Sequence, residues 1–380
     1  MIVSLCIRAL GKNVPKSNMK LLILTQKIDR DDPVLGFFHQ WVKEFAKHWT
    51  RITVICLEKG FYDLPKNTEV FSLGKEEKVS RIIYLLRFYK YIIYEHKNYN
   101  AVFVHMNQEY VLLGGLIWKF FGKNISMWRN HLKGSFLTNL AVFLSDRVFC
   151  TSNQSYTTRF KKTKIMPAGI NTDLFKPDAS VHKKPKSILF LGRIDPVKNV
   201  DVFVEALQKL RNEGIKFFAT IAGGSSDKYK AYEKMIHEKI ITYDLGDKVT
   251  FTGAMSQREA LKLYREHEFY VNLTPSGSMD KTIFEALASG LKVLVANTFF
   301  RDKLPESSIV ANPNDLESLV SKIKNILSDS HGDNSDSQKN NMAFLEWHSL
   351  NNLMKELKVA MTNTRKVVSK QTNEINLYNF

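Results

Sequence analysis

Short apolar runs alternate with helical patterns in the first part of the chain. The runs cover residues 21–25, 51–57, 101–106, 124–128 and 147–152 and are rich in β-branched and other apolar residues. Between them, apolar positions recur at the spacing of a helix. Apolar runs separated by helical segments are typical of a parallel sheet that helices cover on both faces. The first part of the chain is therefore predicted to be a doubly wound α/β unit.

The same alternation begins again after residue 186. Apolar runs lie at 187–192, 217–223, 248–253, 269–274, 292–297 and 308–312. The helical segments between them include DVFVEALQKL, REALKLYREH and DLESLVSKIKNIL. The pattern thus predicts an α/β fold with a second Rossmann-like unit after the first.

A segment at 176–186 separates the two units, and it is rich in Pro, Lys and small residues, as exposed linkers are. A length of 380 residues also fits two domains at roughly 150 residues each. The stretch 328–341 is too polar to pack, so it is predicted to be a loop. The predicted parts are an extension at 1–18, a first domain at 19–175, a second domain at 176–345, a helix at 346–361 and a tail at 362–380.

Composition narrows the class of protein. With 44% hydrophobic and 12% aromatic residues, the chain can bury a sizeable core, which excludes a disordered protein, a collagen or a coiled-coil rod. The widely spaced Cys6, Cys56 and Cys150 form neither a disulfide framework nor a set of paired zinc ligands. No apolar run reaches the roughly 18 residues of a membrane span, and the N-terminal residues do not resemble an export signal. These features predict a cytoplasmic protein.

The positive charge is concentrated in the first half. The net charge is +17, and residues 1–175 hold 26 Lys and Arg against 13 Asp and Glu. Such an excess indicates an anionic partner, namely a membrane surface, a phosphorylated lipid or a nucleic acid, or else a merely basic surface. No helix-turn-helix, RRM or zinc-finger pattern is present, so nucleic acid is not the expected partner.

Residues 79–97 combine apolar and aromatic residues with the cations Arg81, Arg87, Lys90 and Lys97. This pattern suits a helix that lies against an anionic membrane surface. An ordinary half-buried helix with basic ends is the alternative.

Two candidate groups follow strands of the second unit, where ligands bind in open α/β sheets. Arg193 and Lys198 come after the run 187–192 and just before a helix. Two cations beside a helix N-terminus can bind a diphosphate, although Arg and Lys also solvate ordinary loops.

The second group lies in TPSGSMDKTIFEALASG, at 274–290. Lys281 or Thr282 is predicted to open a helix whose free N–H groups can receive phosphate oxygens. Glu285, one turn inside that helix, can accept hydrogen bonds from the two hydroxyls of a ribose. Alternatively, it only complements the helix dipole.

These motifs together resemble those of glycosyltransferase family 4. The resemblance lies in GRIDPVKNVDVFVEAL and PSGSMDKTIFEALASGLKVLVA, preceded by KIMPAGINTDLFKP. It is specific over residues 164–297 and weaker over 19–163. It implies the GT-B architecture, in which two Rossmann-like domains face a cleft, with the donor sugar nucleotide on the second and the acceptor on the first. It also implies a retaining group 1-type transferase that needs no metal and no cofactor, and a C-terminal helix that packs back towards the first domain.

The resemblance assigns roles to particular residues. Arg193 and Lys198 correspond to donor diphosphate ligands and Glu285 to the ribose ligand, and main-chain groups at Lys281 and Thr282 support the same phosphates. Residues from Gly253 to Met255 border the base, and Gly36 permits close approach of the backbone to the donor. His131 corresponds to the histidine that faces the transferred sugar and is expected to be catalytic together with Arg193 and Lys198. His105, at a strand end, is a second candidate on the acceptor side, although such a histidine is more often structural.

One position departs from the family. The usual second glutamate, seven residues before the ribose ligand, is Gly277. Asp280 can supply a carboxylate from a shifted loop, or it caps the following helix. The departure raises the alternative of a catalytically silent protein that binds sugar nucleotides or a membrane.

A further alternative begins from Asp29 and Asp31, which follow a strand in a D-x-D arrangement. Metal-dependent GT-A transferases hold a divalent ion with such a pair. A polar turn at Asp32 and Pro33 explains the same residues.

The sequence therefore predicts a cytoplasmic retaining glycosyltransferase, peripheral at the inner face of the cell membrane. It is expected to move a hexose-type sugar from a UDP- or GDP-linked donor to a glycan or lipid-linked acceptor. Synthesis of a cell-surface polysaccharide or glycolipid is the expected setting.

Overall fold

The computed structural model describes residues 17–275, 279–328 and 342–362. They form two parallel β-sheets with helices on both faces, as predicted. The first sheet has seven strands in the order β3-β2-β1-β4-β5-β6-β7. Its strands are β1 Ser17–Ile28, β2 Trp49–Lys59, β3 Thr68–Ser72, β4 Ala101–His105, β5 Asn124–Trp128, β6 Arg147–Cys150 and β7 Thr163–Ile165. Its helices are α1 Gly36–His48, α2 Arg81–Tyr94, α3 Gln108–Phe120 and α4 Phe136–Leu144.

The second sheet has five strands in the order β10-β9-β8-β11-β12. They are β8 Ser187–Leu191, β9 Phe218–Ala222, β10 Val249–Gly253, β11 Phe269–Asn272 and β12 Lys292–Val295. The helices are α5 Val200–Asn212, α6 Lys230–Thr242, α7 Gln257–Glu266, α8 Lys281–Ala288, α9 Leu316–Ser328 and α10 Leu350–Thr362. Residues 342–347 are also helical. Both strand orders reverse at a central point, as in doubly wound sheets.

The alternation of side chains in β1 explains why the first sheet is covered on both faces. Leu21 and Ile23 pack in one core with α1, whereas Leu22 and Leu24 pack in another with α2, α3 and α4. Successive residues of a strand point to opposite faces, so a strand between two helical layers must be apolar throughout.

The C-terminal helix α10 packs back on the first domain. Its Leu353 and Leu357 are fully buried in the core that contains Trp41 of α1. The chain thus returns from the second sheet to the first, which confirms the predicted packing of this helix.

One predicted strand is wrong. Residues 308–312 form no strand but only a single parallel bridge between Val295 and Ile309. A 3-10 turn at Glu306–Ser308 precedes the bridge, and Pro313, which has no N–H donor, follows shortly afterwards. Between the turn and Pro313, only Ile309 pairs with β12.

Other predictions concern residues at the edges of the described part. The strand β1 begins at Ser17, two residues before the predicted start of the first domain. Residues 1–16, most of the predicted loop at 328–341 and nearly all of the predicted tail lie outside the described residues. Residues 176–186 contain no helix or strand and lie between the two sheets. The domain limits themselves stay a prediction.

Within the described ranges, no helix is long and apolar enough to cross a bilayer.

Candidate functional site

A cleft of about 630 Å³ lies between the two domains, at the carboxyl ends of the parallel strands. Loops of the first sheet contribute one wall, and the loop after β8 with the starts of α7 and α8 contribute the other. This edge is where open α/β sheets bind ligands, and the volume suits a small organic molecule.

Most of the predicted site residues meet in this cleft. Those that line it are Gly36, His105, His131, Arg193, Lys281, Thr282 and Glu285. The other three, Lys198, Gly253 and Asp280, are not part of the lining.

Glu285 is held in place by two side chains of α7. Its carboxylate accepts hydrogen bonds from Gln257 Nε2 at 2.9 Å and from the Tyr264 hydroxyl at 3.2 Å. Burial raises the pKa of Glu285, and the hydrogen bond from Gln257, the charge of Lys281 and the bond from Tyr264 only partly oppose this shift. A carboxylate that is oriented by these two hydrogen bonds and lines the cleft can accept further hydrogen bonds from ligand hydroxyls.

Gln257 and Tyr264 were not predicted from the sequence. One signal for the start of α7 was present, because Ser256 and Glu259 have the spacing of a capping box and form one. That box places Gln257 in the first turn of the helix. Its contact with Glu285 joins residues 28 apart in the sequence, and spacing alone does not reveal it.

Arg193 supplies an unneutralised positive charge to the cleft. It lies in the loop after β8, it is exposed, and its guanidinium forms no ion pair within the described part of the chain. The loop itself is fixed, since the Ile194 N–H donates to the Gly224 carbonyl at 3.0 Å and the Asp195 carboxylate accepts from the Val197 N–H at 3.1 Å. The guanidinium fork is thus available for an anion.

Lys198 lies behind this loop in a buried ion pair. Its Nζ is 2.5 Å from Asp280 Oδ2 and donates to Thr274 Oγ1 at 3.1 Å. The two charged side chains are 10% and 15% exposed. Since an ammonium group has three N–H donors, Lys198 keeps one for a further acceptor.

Asp280 occupies the N-cap position of α8, but its side chain forms no capping hydrogen bond. The capping function weighed from the sequence is therefore wrong for the side chain. Its Oδ2 accepts instead from Lys198, from Thr274 at 2.8 Å and from Asn272 Nδ2 at 3.1 Å. Burial favours the protonated acid, but the charge of Lys198 and these hydrogen bonds outweigh it and lower the pKa of Asp280.

The Lys281 side chain spans the cleft from α8 to the first domain. Its ammonium group donates to the Ala168 carbonyl and lies 4.6 Å from the ring centroids of both Phe37 and Trp41. Burial lowers the pKa of Lys281 to about 7, against the opposing charge of Glu285. This contact links the two walls of the cleft. From the sequence, only the main chain of Lys281 was expected to take part in the site.

His105 belongs to the wall of the first domain and is almost fully buried. Its ring stacks on Phe38 with centroids 3.9 Å apart, and its Nδ1 lies 3.3 Å from Thr25 Oγ1. Burial, with a smaller contribution from the charge of Lys281, lowers the pKa of His105 to about 3. The ring is therefore a neutral, packed part of the wall.

His131, by contrast, is exposed in the cleft. Its Nδ1 lies 3.1 Å from both the main-chain nitrogen and the carbonyl oxygen of Lys133. The guanidinium of Arg129 donates to the Lys133 carbonyl at 2.9 Å, which closes the loop around the histidine. The ring is thus positioned by its own loop and faces the space between the domains.

Glycine is required at Gly36 and Gly253 for different physical reasons. A Cβ on Gly36 would lie 3.0 Å from the Arg30 carbonyl oxygen, so a side chain would displace the start of α1. Gly253 has a φ of 74°, in the left-handed region that favours glycine. It ends β10, two residues before Met255, which lines the cleft.

The D-x-D pair does not form part of the cleft lining. Asp29 lies 3.4 Å from Lys27 Nζ, and Asp31 lies 3.5 Å from Arg30 Nε. Among the described residues, no cluster of three His, Cys, Asp or Glu side chains could hold a metal ion. The GT-A alternative is wrong because the chain folds into two parallel sheets that face a cleft. Gly277, the departure noted above, lies outside the described residues.

Comparisons with known proteins agree with this architecture. Residues 172–343 match the family described as Glycosyl transferases group 1. The probable sucrose-phosphate synthase of Thermosipho melanesiensis is 30% identical over 142 residues, which cover 35% of this chain and 32% of that protein. The O-antigen chain mannosyltransferase RfbU of Salmonella typhimurium is 27% identical over 176 residues, or 46% of each chain. The matched region thus spans about a third of the first relative and under half of the second.

A solved structure extends the likeness to both domains. The Anabaena protein Alr3699/HepE, in complex with UDP and glucose, has a TM-score of 0.72 at 16% identity, and the match covers 91% of this chain and 100% of that one. The fold of this chain is therefore that of the two-domain GT-B proteins. Its second half also carries the sequence pattern of the group 1 glycosyl transferases.

Proposed function

We propose that this chain is a retaining glycosyltransferase that moves a hexose-type sugar from a UDP- or GDP-linked donor to a glycan or lipid-linked acceptor. The observation that carries the proposal is the juxtaposition of Arg193, the N-terminus of α8 and Glu285 on one wall of the cleft. A cation, a helix N-terminus and an oriented carboxylate match the diphosphate and ribose of a sugar nucleotide. Synthesis of a surface polysaccharide or glycolipid is the proposed setting.

The diphosphate is proposed to lie between Arg193 and the start of α8. The guanidinium binds two oxygens, and the main chain at Lys281 and Thr282 supplies further donors. Lys198 lies behind the loop, paired with Asp280 and outside the cleft lining. Negative charge grows on the diphosphate as its bond to the sugar breaks. Cations already in place stabilise that change more than the ground state, so they accelerate the reaction.

The nucleoside is proposed to extend along α7 and α8. Its ribose hydroxyls donate to the Glu285 carboxylate, which Gln257 and Tyr264 orient by hydrogen bonds. The base lies near Met255 and Ser256, which line the same part of the cleft. Alr3699/HepE, which has this fold, is in complex with UDP and glucose, and this supports the binding of a sugar nucleotide by this chain.

The sugar and acceptor are proposed to lie against the first domain. His131 faces the transferred sugar, and the neutral ring of His105 shapes the acceptor side of the wall. With retention, the leaving phosphate can accept the proton of the acceptor hydroxyl, so a separate carboxylate base is not needed. The reaction is proposed to need neither a metal nor a cofactor.

The location of the enzyme is also part of the proposal. A cytoplasmic protein that binds peripherally to the inner face of the cell membrane would meet lipid-linked acceptors and nucleotide sugars together. The mannosyltransferase RfbU, which acts on O-antigen chains, supports a surface-glycan setting.

The test is a panel of UDP- and GDP-hexoses, screened by thermal shift and by slow hydrolysis of the donor. The wild-type chain is compared with Arg193→Ala and with Lys234→Ala, a matched control at an exposed lysine of α6. The proposal predicts a shift and hydrolysis with one donor, with hydrolysis on the order of a hundredfold slower in Arg193→Ala and unchanged in the control. Binding to no donor would refute the proposal. Binding without turnover, even with acceptor lipids added, would favour the silent protein that Gly277 suggests.

A further inference from the structure

Three helices of the first domain expose an unusual amount of apolar surface. Of the 25 large apolar side chains that the described residues expose, thirteen lie on α2, α3 and α4. We call these thirteen the apolar helix surface. They are Ile82, Ile83, Leu85, Leu86, Ile93, Tyr94, Leu113, Leu116, Phe120, Phe136, Leu137, Leu140 and Phe143. Contiguous apolar patches of this kind mark sites where a soluble domain meets another surface.

The three helices present these side chains on the same side of the domain. Their inner faces, including Phe88, Trp118 and Val142, pack in one core against the first sheet. The outer faces therefore look away from that sheet together. Within α3 the exposed residues recur at 113, 116 and 120, and within α4 at 136, 140 and 143. This spacing makes a stripe along each helix, opposite the buried stripe.

The apolar helix surface continues to the edge of the cleft. Met106 and Leu132 are exposed, both line the cleft, and each precedes a helix of this surface by a few residues. The helices α3 and α4 follow β4 and β5, whose carboxyl ends form the cleft wall, so their N-termini lie at that edge. A large hydrophobic body on this surface would thus lie beside the cleft opening.

The charge around the surface is strongly positive. Residues 79–147 contain nine Lys and Arg against three Asp and Glu. Arg81, Lys90, Lys97 and Lys133 are exposed there and form no ion pair within the described ranges. Each of these cations would strengthen binding to an anionic bilayer.

We propose that the apolar helix surface is a membrane-docking face that inserts its side chains into a bilayer containing anionic lipids. The face reaches beyond the single basic helix indicated by the sequence, because α3 and α4 contribute seven of its thirteen side chains. It also places the bilayer beside the cleft, from which a lipid-linked acceptor can enter. The docking face deepens the membrane location in the proposed function, and acceptor entry rests on the proposed transfer. Binding to a bilayer can be measured without either the donor or the acceptor.

Charge favours a bilayer over a second copy of the chain. Two copies that met through this face would bring two basic surfaces together, and their repulsion would oppose the apolar contact. An anionic bilayer accepts both the apolar side chains and the cations around them.

The test is flotation with vesicles of equimolar phosphatidylglycerol and phosphatidylcholine, and with vesicles of phosphatidylcholine alone. The variant is Phe136→Ser/Phe143→Ser, whose two rings are 78% and 76% exposed and contribute little to the core. The matched control is Phe218→Ser/Ile241→Ser, at exposed apolar residues of the second domain.

The wild type and the control are expected to bind the anionic vesicles, and the Phe136→Ser/Phe143→Ser variant on the order of tenfold or more weakly. Raising the salt from about 0.1 M to 1 M is expected to weaken wild-type binding, because the screening length falls from about 10 Å to 3 Å. Equal binding of variant and wild type, or no binding to either vesicle, would overturn the proposal. So would a dimer in the absence of vesicles that the same substitutions dissociate.

A second measurement separates this proposal from the proposed function. The Phe136→Ser/Phe143→Ser variant is expected to keep the thermal shift with nucleotide sugars, because neither ring lines the cleft. If the wild type binds vesicles but no nucleotide sugar, the proposed transfer is refuted and the docking face is still supported.

Discussion

The buried ion pair between Lys198 and Asp280 makes a strong prediction about stability. The substitution Asp280→Asn removes the negative charge but keeps an acceptor for Thr274 and Asn272, which both donate to this side chain. Lys198 is then left with its charge in a site where its side chain is only 10% exposed. Breaking a buried pair in this way costs about 3 to 5 kcal/mol, and we expect the lower end because the amide still solvates the ammonium.

The loss of stability should be confined to the second domain, and the positions of the tryptophans make this measurable. All five tryptophans, at 41, 49, 118, 128 and 347, lie outside residues 187–328. Four of them are buried in the first domain, whereas Trp347 is half exposed, in a segment whose Phe344 packs on Phe284 of α8. Tryptophan fluorescence in urea therefore follows mainly the first domain, whereas far-UV circular dichroism follows both domains. Asp280→Asn is expected to shift the circular dichroism transition to lower urea and to change the fluorescence transition much less.

A double substitution tests the cause. In Lys198→Met/Asp280→Asn no unpaired charge remains, so much of the lost stability should return. The matched control is Glu238→Gln, which breaks the exposed pair with Lys234 and should cost less than about 0.5 kcal/mol. An Asp280→Asn protein as stable as the wild type, or a double variant no more stable than the single one, would refute the reasoning.

The pH dependence of stability gives the same pair a second readout, since the pKa of Asp280 is lowered in the fold. The pair contributes its full stability above pH 3.8, the ordinary pKa of the Asp280 carboxyl, and this contribution is lost as the pH falls through the lower pKa of the folded state. The stabilities of wild type and Asp280→Asn should therefore converge in acid. For Lys281, whose pKa is about 7, calorimetry should show a gain in UDP affinity relative to Lys281→Met as the pH falls from about 8 to 6, because the ammonium charges and attracts the diphosphate. A Lys281→Met protein with the same pH profile would contradict this. The substitution Glu285→Gln should weaken UDP binding about tenfold or more, and 2′-deoxy-UDP should lose affinity in the wild type but little further in the variant. An equal loss with 2′-deoxy-UDP in both proteins would show that Glu285 does not contact the ribose.

The sequence predicted most of the fold because the central strands are buried on both faces. Such strands must be apolar throughout, and runs of that kind are visible without a structure. The two strands that were missed, Thr68–Ser72 and Thr163–Ile165, lie at the two edges of the first sheet. These two edge strands are short and partly exposed, so their composition does not differ clearly from that of a loop.

The candidate site was predicted only in part. Ligands bind after the carboxyl ends of strands in open α/β sheets, so the order of elements along the chain was enough to predict that Arg193 and Glu285 lie in one cleft. The partner of Lys198 is a residue 82 positions away, and the carbonyls that Lys281 reaches are more than 110 positions away. The first pairing depends on how two loops of the second sheet come together, and the second on how the two domains meet. The spacing of apolar residues encodes neither.

The most direct test of the central claim is a crystal structure of the chain with the nucleoside diphosphate, UDP or GDP, that gives the larger thermal shift. The proposed function predicts the diphosphate within hydrogen-bond distance of the Arg193 guanidinium and the start of α8, with both ribose hydroxyls on Glu285. A nucleotide bound elsewhere, or in this cleft without contact to Arg193 and Glu285, would contradict it.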